Sequence, residues 1–223
     1  MRSNDLTRLN TRPVLETHIV DWVLRRAKDK SVLNVGAAGG VRGYLPNNRE
    51  AWLHHQIGRV AKDLVGIDID EEGIAYASRH GIEIVKDNCE TMDLMREFEI
   101  IALSDVIEHL DAPVTGIKNL MRHLSQDGRL LITTPNPTSS NTIARAMTGR
   151  PINVYYDHVT CFMPEHIQGI CDRYGYEVEG YLFFDHLDKR NMVIRGKSIA
   201  AKVISMVNPR LATSFMAIIK HGK

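Results

Sequence analysis

Cysteine, long apolar runs and net charge are all scarce in this sequence, and each absence removes a class of protein. The 223 residues hold three cysteines, Cys89, Cys161 and Cys171. An odd number without paired spacing excludes a disulfide framework or a four-cysteine zinc cluster. No apolar stretch approaches the roughly 20 residues that span a bilayer. The first ten residues lack the apolar core of a signal peptide, so a soluble cytoplasmic protein is expected. The formal net charge is only +1 with 25% charged residues, which gives no footprint for a long nucleic-acid surface. No internal repeat or low-complexity tract interrupts the chain. The G-x-G-x-x-G fingerprint of nicotinamide dehydrogenases is missing too, since the positions from Gly36 read Gly-Ala-Ala-Gly-Gly-Val.

What is present begins with Ser31-Val-Leu-Asn-Val-Gly-Ala-Ala-Gly-Gly40. Val32, Leu33 and Val35 read as a buried parallel strand, and the small residues after them allow a tight turn and close approach of a ligand to the backbone. Open α/β sheets bind ligands at such strand ends. Further strands are expected at 64–68, 82–87, 100–104, 129–134, 177–184 and 211–220. Asp68 and Asp87 close the first and second of these. Helices are expected from Pro13, with Leu15, Ile19, Trp22, Val23 and Arg26 at helical spacing, and near Glu50, at 71–79, at 114–124 and from Pro164. Ser125 to Gly128 reads as a glycine cap closing the helix before the fifth strand. Residues 1–30 therefore form an N-terminal helical segment. Residues 138–163, with Gly149-Arg-Pro151 inside, read as an insertion and a candidate substrate lid. The stretch 199–207 is apolar and helical, with packing on the sheet preferred over a partner subunit or a membrane.

The strand ends, in this order, resemble those of class I S-adenosylmethionine-dependent methyltransferases of the type 11 and type 23 groups. The match is strongest to the branch with an acidic-x-x-Glu-His motif after the fourth strand, here Asp105-Val-Ile-Glu108-His109, and Thr134-Pro-Asn136 after the fifth. That branch includes ubiquinone-type and cell-surface-locus O-methyltransferases. The resemblance implies one α/β domain over 1–223, Rossmann-like. It implies a seven-stranded, mostly parallel sheet with helices on both faces and the last strand antiparallel.

It also implies roles. Gly36, Ala37 and Gly40 would form the loop under the methionine part of S-adenosylmethionine. Asp68 would hold the ribose hydroxyls, Ile69 and Asn88 would lie beside the base, Asp87 would meet the adenine amino group, and Ser104 would line the floor. Arg42 or Tyr44, from the long segment after Gly40, could reach the amino-acid end. The sequence departs from the family at Asn34, usually acidic, and at Ala38, usually glycine. Glu108, His109 and His158 are the catalytic candidates, with an imidazole as general base. Small-RNA 3′-terminal 2′-O-methyltransferases use a similar motif for a divalent cation, so Asp105, Glu108, His109 and His158 are candidate ligands for Mg²⁺ or Mn²⁺. If Asp105 to His109 is helical, its i, i+3 and i+4 residues share one side. The implied acceptor is a small molecule or a cell-surface glycan or lipid precursor. The alternatives are an RNA 3′ end and a degenerate fold that only binds a partner, and a homodimer is left open.

Overall fold

The structure is a computed structural model that describes residues 6–152, 154–185 and 201–222. In chain order its elements are β1 (Val14–Leu15), α1 (Ile19–Ala27), β2 (Ser31–Val35), α2 (Val41–Tyr44), α3 (Leu53–Val60), β3 (Asp63–Asp68), α4 (Glu71–Arg79) and β4 (Val85–Lys86). Then follow β5 (Phe98–Ser104), α5 (Pro113–Arg122), β6 (Leu124–Pro135), α6 (Ser140–Met147), α7 (Pro164–Tyr174), β7 (Tyr176–Phe184), α8 (201–207) and β8 (Ser214–His221). This is an α/β, Rossmann-like fold with mostly parallel strands. Two compact units divide the chain, His18–Ile132 and the combination of Met1–Thr17 with Thr133–Lys223.

The first unit is built on β2. Its residues are buried after Ser31, as expected of a central parallel strand with apolar neighbours on both faces. It pairs in parallel with β3, Val35 opposite Ile67, and with β5, Val35 opposite Leu103. β3 in turn pairs in parallel with β4, Asp68 opposite Lys86. Three strands therefore deliver their C-terminal ends to one edge, which is where Gly36, Asp68 and Asp87 emerge. Asp70 fixes the start of α4 by accepting a hydrogen bond from the Glu72 amide at 3.1 Å. Pro113 opens α5, where a missing N–H costs nothing.

In the second unit β1 pairs in parallel with β7, Val14 opposite Leu182, and β7 pairs antiparallel with β8, the last strand. α7 starts at Pro164 and stops at Gly175, whose φ of 74° suits glycine as a helix terminator. The Tyr181 ring, fully buried in β7, donates its hydroxyl to the Pro164 carbonyl at 3.1 Å, so the start of α7 is tied to the strand. Asn136 of the Thr-Pro-Asn motif is buried and donates its amide to the carbonyls of Arg210 and Ala212, at 2.8 and 2.7 Å. That motif asparagine therefore staples a turn of this unit. Among the described residues no helix is long and apolar enough to cross a membrane.

Several expectations need correction. Among the described residues there are eight strands where seven were expected, because Val14–Leu15 adds to β7 instead of opening a helix. Pro13 lacks an N–H and fits the beginning of an edge strand as readily as that of a helix. The N-terminal helical segment shrinks accordingly to Ile19–Ala27. The third strand is reduced to Val85–Lys86, both exposed. The helix near Glu50 begins only at Leu53, after a 3-10 turn over Arg49–Ala51. Gly128 is no helix cap: α5 ends at Arg122, and Gly128 lies inside β6, where a Cβ would stand 3.0 Å from the Glu99 carbonyl oxygen. A close backbone approach, and no helix end, is what calls for glycine there.

Candidate active site

A cleft opens at the C-terminal ends of β2, β3 and β4. Val35, Gly36, Asp68, Ile69, Asp87, Asn88 and Cys89 line one part of it, and Glu90, Val106, His109, Leu110 and Asp111 line the rest. Of the eight cofactor residues expected from sequence, five are brought together here: Gly36, Asp68, Ile69, Asp87 and Asn88. Ala37 is buried beneath the loop, Gly40 is an exposed left-handed residue ahead of α2, and Ser104 ends β5 outside the lining.

Local chemistry explains the shape. Gly36 has φ 74°, and a Cβ on it would stand 2.4 Å from Cγ2 of Val106, so only glycine lets the loop close against the strand end that carries His109. The amides of Gly36 and Ala37 both donate to the Ile67 carbonyl at 3.0 Å. Asp68 is held by the same loop: its Oδ2 accepts from the Ala38 amide at 2.8 Å and its Oδ1 from the Asp70 amide at 2.9 Å. An ionised carboxylate has about four lone-pair sites, so two bonds to the backbone leave capacity for a diol. Asp87 accepts from the Asn88 amide at 2.8 Å, and Asn88 accepts from that of Glu90 at 2.9 Å. Ile69 is 69% exposed, an apolar side chain offered to the cleft between two carboxylates. These residues fit an adenosine: acceptors for hydroxyls and an amino group, a flat apolar contact, and a loop that a single methyl would fill.

The two departures from the family pattern have structural answers. Asn34 does not line the cleft. It is buried, and its side-chain amide meets Nδ1 of the buried His54 at 3.1 Å. Burial, with the charge of His55 adding to it, pushes the His54 imidazole down to about 4, so the pair is neutral at ordinary pH. Where the family usually has an acidic residue, this chain thus has one half of an interior amide–imidazole pair. Ala38 is also buried, and its Cβ would lie 3.0 Å from a Cβ on Gly73 of α4. Arg42 and Tyr44 are engaged elsewhere, Arg42 with Glu72 at 2.8 Å and Tyr44 against the cluster of Ala37, Val41 and Trp52. Trp22 is half-buried with the Arg26 guanidinium 4.8 Å above its ring.

The Asp105–His109 motif is not a helical turn throughout. Asp105 is exposed with φ 52°, and only Ile107–His109 form a 3-10 turn, so the shared-face argument does not extend to Asp105. Glu108 is 1% exposed, whereas His109 is half-buried and reaches the cleft. His158, in the other unit, has its ring centroid 5.2 Å from that of Tyr155 in a tilted contact and donates its amide to the Tyr155 carbonyl. The cleft residues that sequence reasoning did not single out are Val35, Glu90, Val106, Leu110 and Asp111. The acidic pair among them had a readable signal, since each follows a strand-end motif by a few residues.

Known proteins resemble this chain in sequence and in fold. Residues 12–180, more than half of the chain, match a family described as a methyltransferase domain. The mitochondrial ubiquinone biosynthesis O-methyltransferase of Bos taurus is 31% identical over 124 residues, 48% of this chain and 29% of that one. Its counterpart in Schizosaccharomyces pombe is 23% identical over 128 residues, 53% of this chain and 42% of that one. The chain thus matches less than half the length of these curated relatives. A SAM-dependent methyltransferase from Archaeoglobus fulgidus superposes with a TM-score of 0.58 at 17% identity, covering 91% of each chain. With the loop, the carboxylates and the strand order in place, the chain belongs to the class I S-adenosylmethionine-dependent methyltransferases.

Proposed function

We propose that this methyltransferase methylates an oxygen of a small molecule or of a cell-surface glycan or lipid precursor. The observation that carries the reading is that His109 lines the same cleft as Asp68 and Ile69. S-adenosylmethionine, when bound, supplies an electrophilic methyl on a sulfonium, and the transfer needs an acceptor oxygen in line with that bond. Gly36 and Asp68 are the residues that would hold the cofactor, through the backbone and the ribose hydroxyls, and Asp87 would read the adenine amino group. With no cation at the site, His109 would take the proton of the acceptor hydroxyl, as a general base within reach of the cleft. His158 is the second candidate for that role, and Glu108 would orient the turn that carries His109. The curated relatives are named as ubiquinone biosynthesis O-methyltransferases, which supports oxygen as the methylated atom.

The alternative to an imidazole base is a divalent cation, with the two imidazoles then acting as ligands that take no proton. Asp105, Glu108, His109 and His158 together offer carboxylate oxygens and imidazole nitrogens, a donor set suited to Mn²⁺ or Mg²⁺. The pairing of His158 with the Glu108–His109 turn rests on the sequence motif. Bound there, the cation would lower the pKa of a coordinated hydroxyl. Residues 138–163 would select the acceptor, supported by the exposed Met147, Ile152 and Tyr156. A cytoplasmic enzyme, monomeric or homodimeric, completes the reading.

The test is calorimetric titration with S-adenosylhomocysteine, followed by turnover on a panel of phenols and sugar or lipid precursors. Asp68→Ala is expected to abolish binding. His109→Ala is expected to bind within about twofold of wild type while turnover drops by about a hundredfold, the range of a lost general base. Equal binding by all three proteins would remove Asp68 from its role. Activity that survives chelation unchanged would remove the cation.

A further inference from the structure

α8 is turned inside out. Among its described residues the one fully buried is Ser205, which donates its hydroxyl to the Ala201 carbonyl at 2.9 Å, while Val203, Ile204, Met206 and Val207 are 57, 43, 67 and 87% exposed. At about 100° per residue these four cover an arc of about 160°, with Ser205 and Ala201 on the opposite side. The half-buried Lys202 falls at the margin of the arc, next to Met206. The first two residues of the 199–207 stretch lie outside the described residues; over 201–207 the helix buries a serine and leaves Val203, Ile204, Met206 and Val207 exposed, where packing on the sheet was expected. A contiguous apolar face with no cover among the described residues marks an interaction surface.

Charge says what covers it. The sequence from 189 to 223 contains eight Lys and Arg and no Asp or Glu, although the whole chain is nearly neutral. Arg210 and Lys220 are committed within the fold, to Glu165 and to Glu177. The remaining six include Lys202, on the helix, and Lys189, Arg190, Arg195 and Lys197, which precede it in sequence. A short apolar helix face in a basic, acid-free stretch matches an anionic lipid surface, where basic residues meet headgroup phosphates and apolar side chains enter the acyl boundary. A second copy of the chain would bring the same basic stretch against itself.

We propose that the exposed face of α8 docks this enzyme on an anionic phospholipid bilayer, lying at the interface without crossing it. The inference is independent of the acceptor and of the cation. It gives Val203 and Val207 a role that no catalytic argument supplies.

The experiment is flotation of the full chain with vesicles of phosphatidylcholine alone or mixed with phosphatidylglycerol. Wild type is expected to float with the mixed vesicles at least about tenfold better than with neutral ones, and to lose that preference near 1 M salt, where the Debye length is about 3 Å. Val203→Glu with Val207→Glu, and separately Lys202→Glu, are expected to lower flotation by about tenfold or more. All variants should still bind S-adenosylhomocysteine like wild type, because these side chains are at the surface of a unit that does not carry the cofactor cleft. Failure of wild type to float with anionic vesicles overturns the proposal, as does flotation of the variants at the wild-type level. A wild-type dimer that Val207→Glu dissociates, without vesicle binding, overturns it in favour of a homodimer interface.

Discussion

Asn34 and His54 form an amide–imidazole pair inside the first unit, 3.1 Å from Nδ2 to Nδ1 and both about 95% buried. A carboxylate at position 34 would be a buried charge, and a stable one only if His54 were protonated to meet it. With asparagine there the imidazole stays neutral, and its folded pKa lies at about 4 against 6.5 for an ordinary histidine.

The sign of the resulting pH effect follows. Between about pH 6.5 and 4 the unfolded chain binds a proton at His54 that the folded chain refuses, so stability rises with pH across that window. The contribution is fully present above about pH 7 and falls by about 2 kcal/mol at pH 5. Urea unfolding at pH 8 and pH 5 measures it. His54→Gln, which can still meet the Asn34 amide, should flatten this part of the pH dependence; an unchanged slope would assign it to other groups.

Ala38 should matter less to the cofactor than the family pattern suggests. Its side chain packs under the loop and is absent from the cleft lining, and it is not among the residues with positive φ. Ala38→Gly removes a buried methyl and loosens the unfolded chain, a loss of about 1–2 kcal/mol. Affinity for S-adenosylhomocysteine should stay within about twofold by calorimetry, and a large gain would restore the view that alanine here obstructs binding.

Gly36 is the opposite case. Gly36→Ala puts a methyl 2.4 Å from the Val106 side chain at a φ of 74°. The left-handed strain alone costs about 1–2 kcal/mol, and Val106 must also move. Val106 lines the cleft, so affinity for S-adenosylhomocysteine should fall by about tenfold or more. Adding Val106→Ala relieves the contact but not the dihedral strain, and should recover part of the loss.

How far the sequence could be read follows from the range of the interactions. Gly36, Asp68, Ile69, Asp87 and Asn88 were legible because they sit at the ends of three strands, β2, β3 and β4, a pattern written in a few neighbouring residues. β1 was not, because two residues become a strand only by pairing with Leu182 and Phe183. The partner of Asn34 lies 20 positions away on α3, invisible to motif or period. The 199–207 stretch shows a third limit: periodicity identifies an apolar face without saying which way it points.

The cysteines close the case for a thiol-independent site. Cys89 lines the cleft but is 4% exposed, and burial, reinforced by Glu90 and Asp87, pushes its thiol up to about 12; burial does the same to Cys171, while Cys161 is exposed. Only the thiolate reacts with an alkylating reagent, so at pH 8 Cys161 alone should be modified in the folded protein. Mass spectrometry after brief iodoacetamide treatment should find one adduct, on the peptide carrying Cys161, and none in Cys161→Ser. Three adducts should appear once the chain is unfolded. The alkylated wild type should bind S-adenosylhomocysteine as before; an early adduct on Cys89 would mean that the cleft opens further than the structure shows.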